Sequence, residues 1–492
     1  MAVSDLKSLK HVHIIGVCGT LMGAFAAFLK RAGVEVTGSD QSVYPPMSEV
    51  LRSAGVRLHE GYKAENLMAT GRRPDLVVVG NVIRADNPEA RAAIDGGYEY
   101  SSLPEAMERF MLGKTRNIVV AGTHGKTTTS TLLAHVLNSC GTDPSYFIGG
   151  VPHDLPFSFN VTSVEAGAYF VLEGDEYDTA FWDKVPKFNH YLPDDAILTS
   201  VEFDHADIYA DLGAVQKAFE GLVVRIRKGP GGAGRLICCY DYPGVVTLAE
   251  GLARSRALNV ISYASEGNPT ARFIPRNLRS VDGRLSFEVV EKGRTVDEIV
   301  LQVPGHHNVL NALAVWIECR ELGLSPDKVR AALASFRGVK RRQEVRGEIG
   351  GVMVIDDFAH HPTAVKETLR ALRIRYPGRR LIAVFEPRSA TSRRKIFQKE
   401  YAQAFTEADA TFIAVPYDQS RIPVQDQFSS DELVTDVERA GKSAYMMASV
   451  DAGVERIVKF AEQGDVVAVL SNGGFGGFIG KLLKALETDR KN

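Results

Sequence analysis

The most specific chemical signature lies in Asn117-Ile-Val-Val-Ala-Gly-Thr-His-Gly-Lys-Thr-Thr-Thr129, which reads as a β-strand, a glycine turn and a helix start. Backbone N–H groups of such a turn, added to the helix N-terminus, form a nest for phosphate oxygens. Lys126 then reaches the terminal phosphates, and the Thr127 hydroxyl coordinates Mg²⁺. The spacing Gly122-x-x-Gly125-Lys126-Thr127 is two residues shorter than the general phosphate-loop pattern. A Mg·ATP site needs further oxygen or imidazole ligands. Glu173 supplies one in Val171-Leu-Glu-Gly-Asp-Glu-Tyr-Asp178, and His205 another in Ser200-Val-Glu-Phe-Asp-His-Ala-Asp207. Both follow predicted strands, and strand ends of open α/β sheets are where ligands bind. Asp175, Glu176 and Asp204 are expected in the surrounding shell or at the surface.

Weaker signals flank this one. His11-Val-His-Ile-Ile-Gly-Val-Cys-Gly-Thr-Leu-Met-Gly23 spaces its glycines G-x-x-G-x-x-x-G, which is not the dinucleotide fingerprint. Asp40 ends the next predicted strand, where a group meets a ribose or base. In Pro304-Gly-His-His-Asn-Val-Leu-Asn-Ala-Leu-Ala314, Asn308 and Asn311 share a helix face with His307 close by, to cap the helix or to hold an adenine. Lys340-Arg341-Arg342 and Ile355-Asp-Asp-Phe-Ala-His-His-Pro362 bring cations, carboxylates and imidazoles beside strand ends, as phosphoryl transfer requires.

The elements that position these groups follow from hydrophobic patterning. Short β-branched runs occur at 12–15, 34–37, 76–79, 117–121, 169–172, 197–199, 352–355, 381–385, 411–415 and 466–470. Leu212, Val215, Phe219, Leu222, Val223 and Ile226 recur at helical spacing. Alternating strands and helices predict parallel sheets covered on both faces. Breaks near Gly113 and Phe336 divide the chain into units 1–113, 114–336 and 337–492, and 228–234 reads as an exposed glycine-rich loop.

Composition sets the outer limits. A chain of 492 residues with 45% hydrophobic and 24% charged residues buries sizeable cores and holds about three domains. Lys and Arg number 58 against 60 Asp and Glu, a formal charge of −2, which argues against nucleic acid or an anionic membrane as main partner. The start lacks the pattern of a secretory signal, and no apolar run is long enough to span a bilayer. Cys18, Cys140, Cys238, Cys239 and Cys319 are odd in number and lack C-x-x-C spacing, so they read as reduced thiols in a cytoplasmic protein.

Four segments in the same order, GVCGTLMG, GTHGKTTT, GHHNVLNALA and DDFAHHPT, make the chain resemble the Mur ligases, three-domain enzymes that join an amino acid or peptide to a UDP-linked muramic acid. The resemblance implies an α/β fold of a Rossmann-like UDP domain, a phosphate-loop ATPase domain and a C-terminal Rossmann-like domain, in a bacterial cytoplasmic monomer or weak homo-oligomer. It implies that Gly16, Gly19, Thr20, Met22, Gly23, Ser39 and Asp40 line the UDP site. Gly122, Thr123, His124, Gly125, Lys126, Thr127 and Thr128 would hold the ATP phosphates, with Thr127, Glu173 and His205 at Mg²⁺. His307, Asn308 and Asn311 would meet adenine, and Arg342, Asp356 or Asp357, and His360 would complete the site. Lys126, Glu173, His205, Arg342 and His360 are the implied catalytic set. The position at which several Mur ligases carry a carbamylated lysine is Glu220 here, so no carbamate is expected.

Two segments, GTHGKTTT and DDFAHHPT, are similar to the members that add L-alanine to UDP-N-acetylmuramate. Val43-Tyr-Pro-Pro-Met-Ser48, Phe385-Glu-Pro-Arg-Ser389 and Leu470-Ser-Asn-Gly-Gly-Phe-Gly-Gly477 instead resemble the members that add the murein tripeptide L-alanyl-γ-D-glutamyl-meso-diaminopimelate. That substrate needs extra cations and open backbone, which Arg388, Ser389 and Asn472 with its glycine loop would provide. The Gly-Lys-Thr loop disfavours a nicotinamide-dependent oxidoreductase.

Overall fold

The structure, a computed structural model, describes residues 8–43, 47–228, 234–281 and 284–489. The first sheet contains β1 (His11–Ile15), β2 (Glu35–Asp40), β3 (Arg57–Glu60), β4 (Leu76–Val79) and β5 (Tyr100–Ser102). All are parallel, in the order β3-β2-β1-β4-β5. The second contains β6 (Arg116–Ala121), β7 (Ser145–Phe147), β8 (Phe159–Asn160), β9 (Tyr169–Gly174), β10 (Asp195–Leu198), β11 (Arg235–Cys239), β12 (Asn259–Tyr263), β13 (Phe273–Val281), β14 (Arg284–Glu291) and β15 (Arg294–Leu301). Their order is β15-β14-β13-β12-β11-β10-β6-β9-β7-β8. The third contains β16 (Glu344–Ile349), β17 (Val352–Asp357), β18 (Leu381–Phe385), β19 (Ala410–Ala414), β20 (Ser443–Met447) and β21 (Val466–Leu470), in the order β16-β17-β21-β18-β19-β20.

Strands such as β4, β18 and β21 are unbroken apolar runs because helices cover both faces of their sheets, and every residue in them is buried. The expectation of parallel sheets needs correction at the edges. β13, β14 and β15 form an antiparallel meander, and β7–β8 and β16–β17 are antiparallel as well. The β14–β15 turn is made by Lys292 at φ 47° and Gly293 at φ 83°, the paired left-handed conformation of a tight hairpin. The segments 44–46 and 229–233, which carry part of the tripeptide-type signature and the glycine-rich loop, lie outside the described residues.

The topology decides where ligands can sit. β1 lies between β2 and β4, β6 between β9 and β10, and β21 between β17 and β18. Each position places three parallel carboxyl ends side by side, and nearly all the chemistry-bearing residues follow them. The first two units share a core. Phe159 packs edge-on against Phe25 and Phe28 at 5.8 and 5.2 Å, and the Arg31 guanidinium donates to its carbonyl. Such ring pairs each add about 0.5–1.5 kcal/mol beyond their buried area. His190 ties the same units together, 2.7 Å from Glu108 and 2.6 Å from Asp183.

Candidate active site

The turn after β6 is shaped by two glycines that no other residue can replace without displacement. A Cβ on Gly122 (φ 136°) would lie 2.2 Å from Thr199 Oγ1, and one on Gly125 (φ 81°) 2.8 Å from Asn311 Oδ1. The helix Lys126–Ser139 starts directly behind. Lys126 Nζ donates to the Gly122 carbonyl at 2.6 Å and meets Glu176 Oε2 at 2.8 Å. Burial opposes the charge of Lys126, but Glu176 and Asp175 outweigh it and hold the ammonium above its ordinary range.

Thr127 Oγ1 donates to Glu173 Oε1 at 2.8 Å, and Gly149 N donates to Oε2 at 2.6 Å. Burial pushes the Glu173 carboxyl above its ordinary range, against these two donors. A half-buried carboxylate beside a hydroxyl is a hard oxygen donor set that fits a divalent cation such as Mg²⁺. His205, at φ 55°, does not join this pair in the structure. Its Nε2 lies 2.9 Å from Glu176 Oε1, so one carboxylate bridges His205 and Lys126. Burial lowers the imidazole pKa, and Glu176 overrides this to hold it above the ordinary value. Of the two placements expected for Glu176 and Asp204, the surface is excluded, since they are only 2% and 4% exposed, and both lie in the shell around Lys126 and His205. The chain after β9 turns inward because Asp175 caps Tyr177 N at 2.9 Å and pairs with Lys187 at 2.8 Å.

His124 lies 3.0 Å from Glu202, and its ring is 4.7 Å from that of His361. These three residues present ligand atoms within 4.8 Å of one another. Glu202 and His361 lie within Ser200–Asp207 and Ile355–Pro362, segments the sequence singles out without giving either residue a role of its own. His361 caps the helix Pro362–Arg375 through Nδ1, and burial pushes its imidazole down to about 3. His360 points elsewhere, with Nε2 3.7 Å from Asp204 Oδ2.

At the start of the helix His306–Glu321, Asn308 Nδ2 donates to Pro304 O at 2.6 Å, and Asn311 Nδ2 donates to Asn308 Oδ1 at 3.2 Å. Asn308 thus ties the helix start, while Asn311 faces the phosphate-loop turn. His307 Nε2 lies 3.3 Å from the Gln343 amide, its pKa brought down to about 4 by burial. Thr123 Oγ1 donates to Glu202 O, and Thr128 lies in the first helical turn. After β1, the amides of Gly16 and Val17 donate to Ser39 O at 2.8 and 3.0 Å, and Cys18 N donates to Asp40 Oδ2 at 2.8 Å. The helix Thr20–Arg31 follows Gly19 with no side-chain cap, leaving amides for an anion. Ser39 is buried, Gly23 packs against Val17 O and Met47, and Met22 borders a small cavity with Asn81, Lys187 and Tyr191.

Three family descriptions match the chain in order: "Mur ligase family, catalytic domain" over 11–115, "Mur ligase middle domain" over 120–318 and "Mur ligase, glutamate ligase domain" over 341–473. The UDP-N-acetylmuramate–L-alanyl-γ-D-glutamyl-meso-2,6-diaminoheptandioate ligase of Escherichia coli (strain K12) is 40% identical over 478 residues, 96% of this chain and 98% of its own. The chain belongs to the Mur ligase family. A UDP-N-acetylmuramate–L-alanine ligase of Kineococcus radiotolerans is 38% identical over 85% of this chain and 83% of its own. A solved structure described as the murein peptide ligase of Psychrobacter arcticus superposes with a TM-score of 0.69 at 34% identity, covering 97% of this chain and 99% of that one. As a Mur ligase, the chain is an ATP-dependent enzyme that forms amide bonds, and its middle domain is the ATP-binding one.

The third domain of this Mur ligase brings its own groups to the same region. Arg342 is exposed, lies 5.0 Å from the Phe358 ring centre and makes no side-chain hydrogen bond or ion pair among the described residues. Asp357 accepts from Gln343 N at 2.8 Å and Ala359 N at 2.7 Å, while Asp356 pairs with Arg341 at 3.4 Å and with Arg346 at 3.1 Å. Both carboxylates therefore brace the turn that carries Arg342. Thr391 Oγ1 donates to Asp204 Oδ1 at 2.7 Å, joining the third domain to the middle one. Arg388 is engaged internally, stacked 3.8 Å from the Tyr417 ring centre and 3.4 Å from Glu386. Ser389 Oγ is 2.9 Å from Ser392 Oγ, and Asn472 Oδ1 is buried with no hydrogen-bond partner among the described residues. Lys217 and Glu220 are exposed on the helix Leu212–Arg225.

Proposed function

We propose that this Mur ligase uses ATP to join L-alanyl-γ-D-glutamyl-meso-diaminopimelate to UDP-N-acetylmuramate, in cytoplasmic re-use of cell-wall peptide. The observation that carries this reading is the near full-length similarity to the E. coli ligase of that name. The first domain, to about residue 113, would hold UDP through Gly16, Gly19, Thr20, Met22, Gly23, Ser39 and Asp40. The second, to about residue 336, would hold ATP on the turn 122–128 with His307, Asn308 and Asn311 at adenine. The third would bring the peptide and, through Arg342, charge for the phosphates.

The γ-phosphoryl group passes to the lactyl carboxylate of the muramic acid, converting its oxygen into a phosphate leaving group. The amine of the alanyl residue attacks the activated carbonyl, and the tetrahedral intermediate collapses with release of phosphate. Lys126 and Arg342 stabilise charge developing on the transferred group. Thr127 and Glu173 would hold Mg²⁺, which supplies charge neutralisation at the phosphates when bound. The His205 ring is occupied by Glu176, so His360, beside Asp204, is the better acceptor for the amine proton. The similarity to an L-alanine ligase supports the second reading, in which L-alanine is the amine. Phosphate release measured with UDP-N-acetylmuramate, ATP and either amine separates the two. Turnover with tripeptide and little with L-alanine is expected, and the reverse would overturn the assignment.

A further inference from the structure

A cavity of about 220 Å³ opens between the third domain and the Asp204–His205 turn of the middle domain, lined by Asp207, Ala390, Arg393, Arg394, Asp418, Arg421 and Ile422. None of its three guanidinium groups has a carboxylate within 4.0 Å among the described residues, in a protein whose other interior cations are mostly paired. Arg394 Nε is buried without a partner, and Arg421 makes no hydrogen bond at all among the described residues. Arg393 bonds only to carbonyls, those of Ser389, Tyr417 and Asp418, and so clamps together the loops that follow β18 and β19. Asp418 Oδ1 is held by Ser420 at 2.6 Å, and the Asp207 side chain makes no hydrogen bond or ion pair among the described residues.

Three unpaired guanidiniums facing two carboxylates do not suit a simple anion, which the aspartates would repel. They suit a ligand that carries several carboxylates and an ammonium together. We infer that this cavity binds the diaminopimelyl end of the peptide substrate, with Arg421 and Arg394 on its carboxylates and Asp207 or Asp418 on its free ammonium. The inference rests on the tripeptide reading above and adds the residues that recognise the far end. The diaminopimelyl residue carries two of the tripeptide's three free carboxylates and, once the alanyl amine is committed to the reaction, its one remaining ammonium, so both signs of charge in the lining find a counterpart. The reach is suitable too. Asp207 stands two positions beyond His205, Thr391 bonds Asp204, and three extended residues span roughly 10 Å. Arg388 is set apart from this role by its pairing with Glu386 and its stacking on Tyr417.

The test compares the wild type with Arg421→Ala, Arg421→Lys and Arg394→Ala, using the diaminopimelate tripeptide, the same tripeptide ending in L-lysine, and L-alanine. Lysine keeps the terminal ammonium but lacks the distal carboxylate. Arg421→Ala should raise the KM for the diaminopimelate tripeptide about tenfold with kcat within about twofold. It should leave the lysine peptide and the KM values for ATP and UDP-N-acetylmuramate nearly unchanged, and Arg421→Lys should recover part of the loss. If the wild type uses the tripeptide and both alanine variants keep its kcat/KM within twofold, or lose all substrates equally, the cavity assignment is overturned and the ligase assignment stands. If the wild type uses L-alanine and not the tripeptide, both are overturned.

Discussion

Glu176 is the residue on which the charge arrangement of the site turns. Its carboxylate meets Lys126 Nζ at 2.8 Å and His205 Nε2 at 2.9 Å, so it sets the charge of one and the ring orientation of the other. Replacing it by Gln would preserve shape and remove the charge. The His205 pKa, now held up by that carboxylate, should then fall toward the value that burial alone favours. We expect Glu176→Gln to lower kcat by about 10- to 100-fold, less than the roughly 100- to 1000-fold lost with a donor that touches the reacting group, because Glu176 acts through Lys126 and His205. NMR titration of the His205 ring should show the accompanying downward shift, and an unchanged ring titration would refute the coupling. The residue-level reading of the sequence found Lys126, Thr127 and Glu173 because a phosphate loop and a strand end fix their environment locally. For Glu176 the sequence leaves the surrounding shell and the surface both open, since an acidic run after a strand carries no mark of whether it turns inward.

At the scale of elements, the helix His306–Glu321 is anchored on the phosphate-loop turn by Asn311 and on the third domain by His307 and Gln343. The His307 imidazole is kept neutral by burial, its pKa brought down to about 4 against 6.5 when unfolded. Between those values the unfolded chain binds a proton that the folded one refuses. The stability associated with neutral His307 is thus fully present above pH 6.5 and is lost as pH falls toward 4. His307→Gln should remove this loss, worth up to about 3 kcal/mol, and flatten the acid side of the stability profile. Calorimetric melting of wild type and variant at pH 7 and pH 4.5 checks it, and parallel declines would exclude His307 as the cause. The meander β13–β15 belongs to the same scale. Its alternating pattern and Lys292-Gly293 turn were present in the sequence but lay outside the strand-and-helix alternation that organised the reading.

For the whole molecule, the candidate ATP groups are divided between the second and third domains, and the muramic acid site is assigned to the first. The passage between the second and third runs through Gly338, Arg341 and Gln343, all with positive φ, two of them not glycine. Such conformations cost of order 1 kcal/mol or more each and are retained where surrounding structure imposes them. A join with stored strain, whose contacts are largely polar side chains such as Thr391–Asp204, Thr363–Glu202 and His360–Asp204, is suited to opening and closing. UDP-N-acetylmuramate with a non-hydrolysable ATP analogue should shift this equilibrium toward closure and exclude water from the acyl phosphate. Small-angle scattering should then record a smaller radius of gyration, and an unchanged value would count against ligand-linked closure. Among the described residues no helix is long and apolar enough to cross a membrane.

The sequence by itself determined the parts whose physics is local: strand runs that are buried on both faces, a glycine turn leading into Lys126 and Thr127, and the order of the segments that mark the family. Tertiary structure decided the rest, because it depends on which strand ends lie side by side. Only the order β9-β6-β10 brings Glu173 to Thr127 and sends His205 to Glu176 instead. Only the packing of the loops after β18 and β19 stacks Arg388 on Tyr417 while leaving Arg394 and Arg421 unpaired around a cavity. Which arginines are free to meet a substrate is a property of neighbours distant in the chain, and residue type and spacing do not encode it.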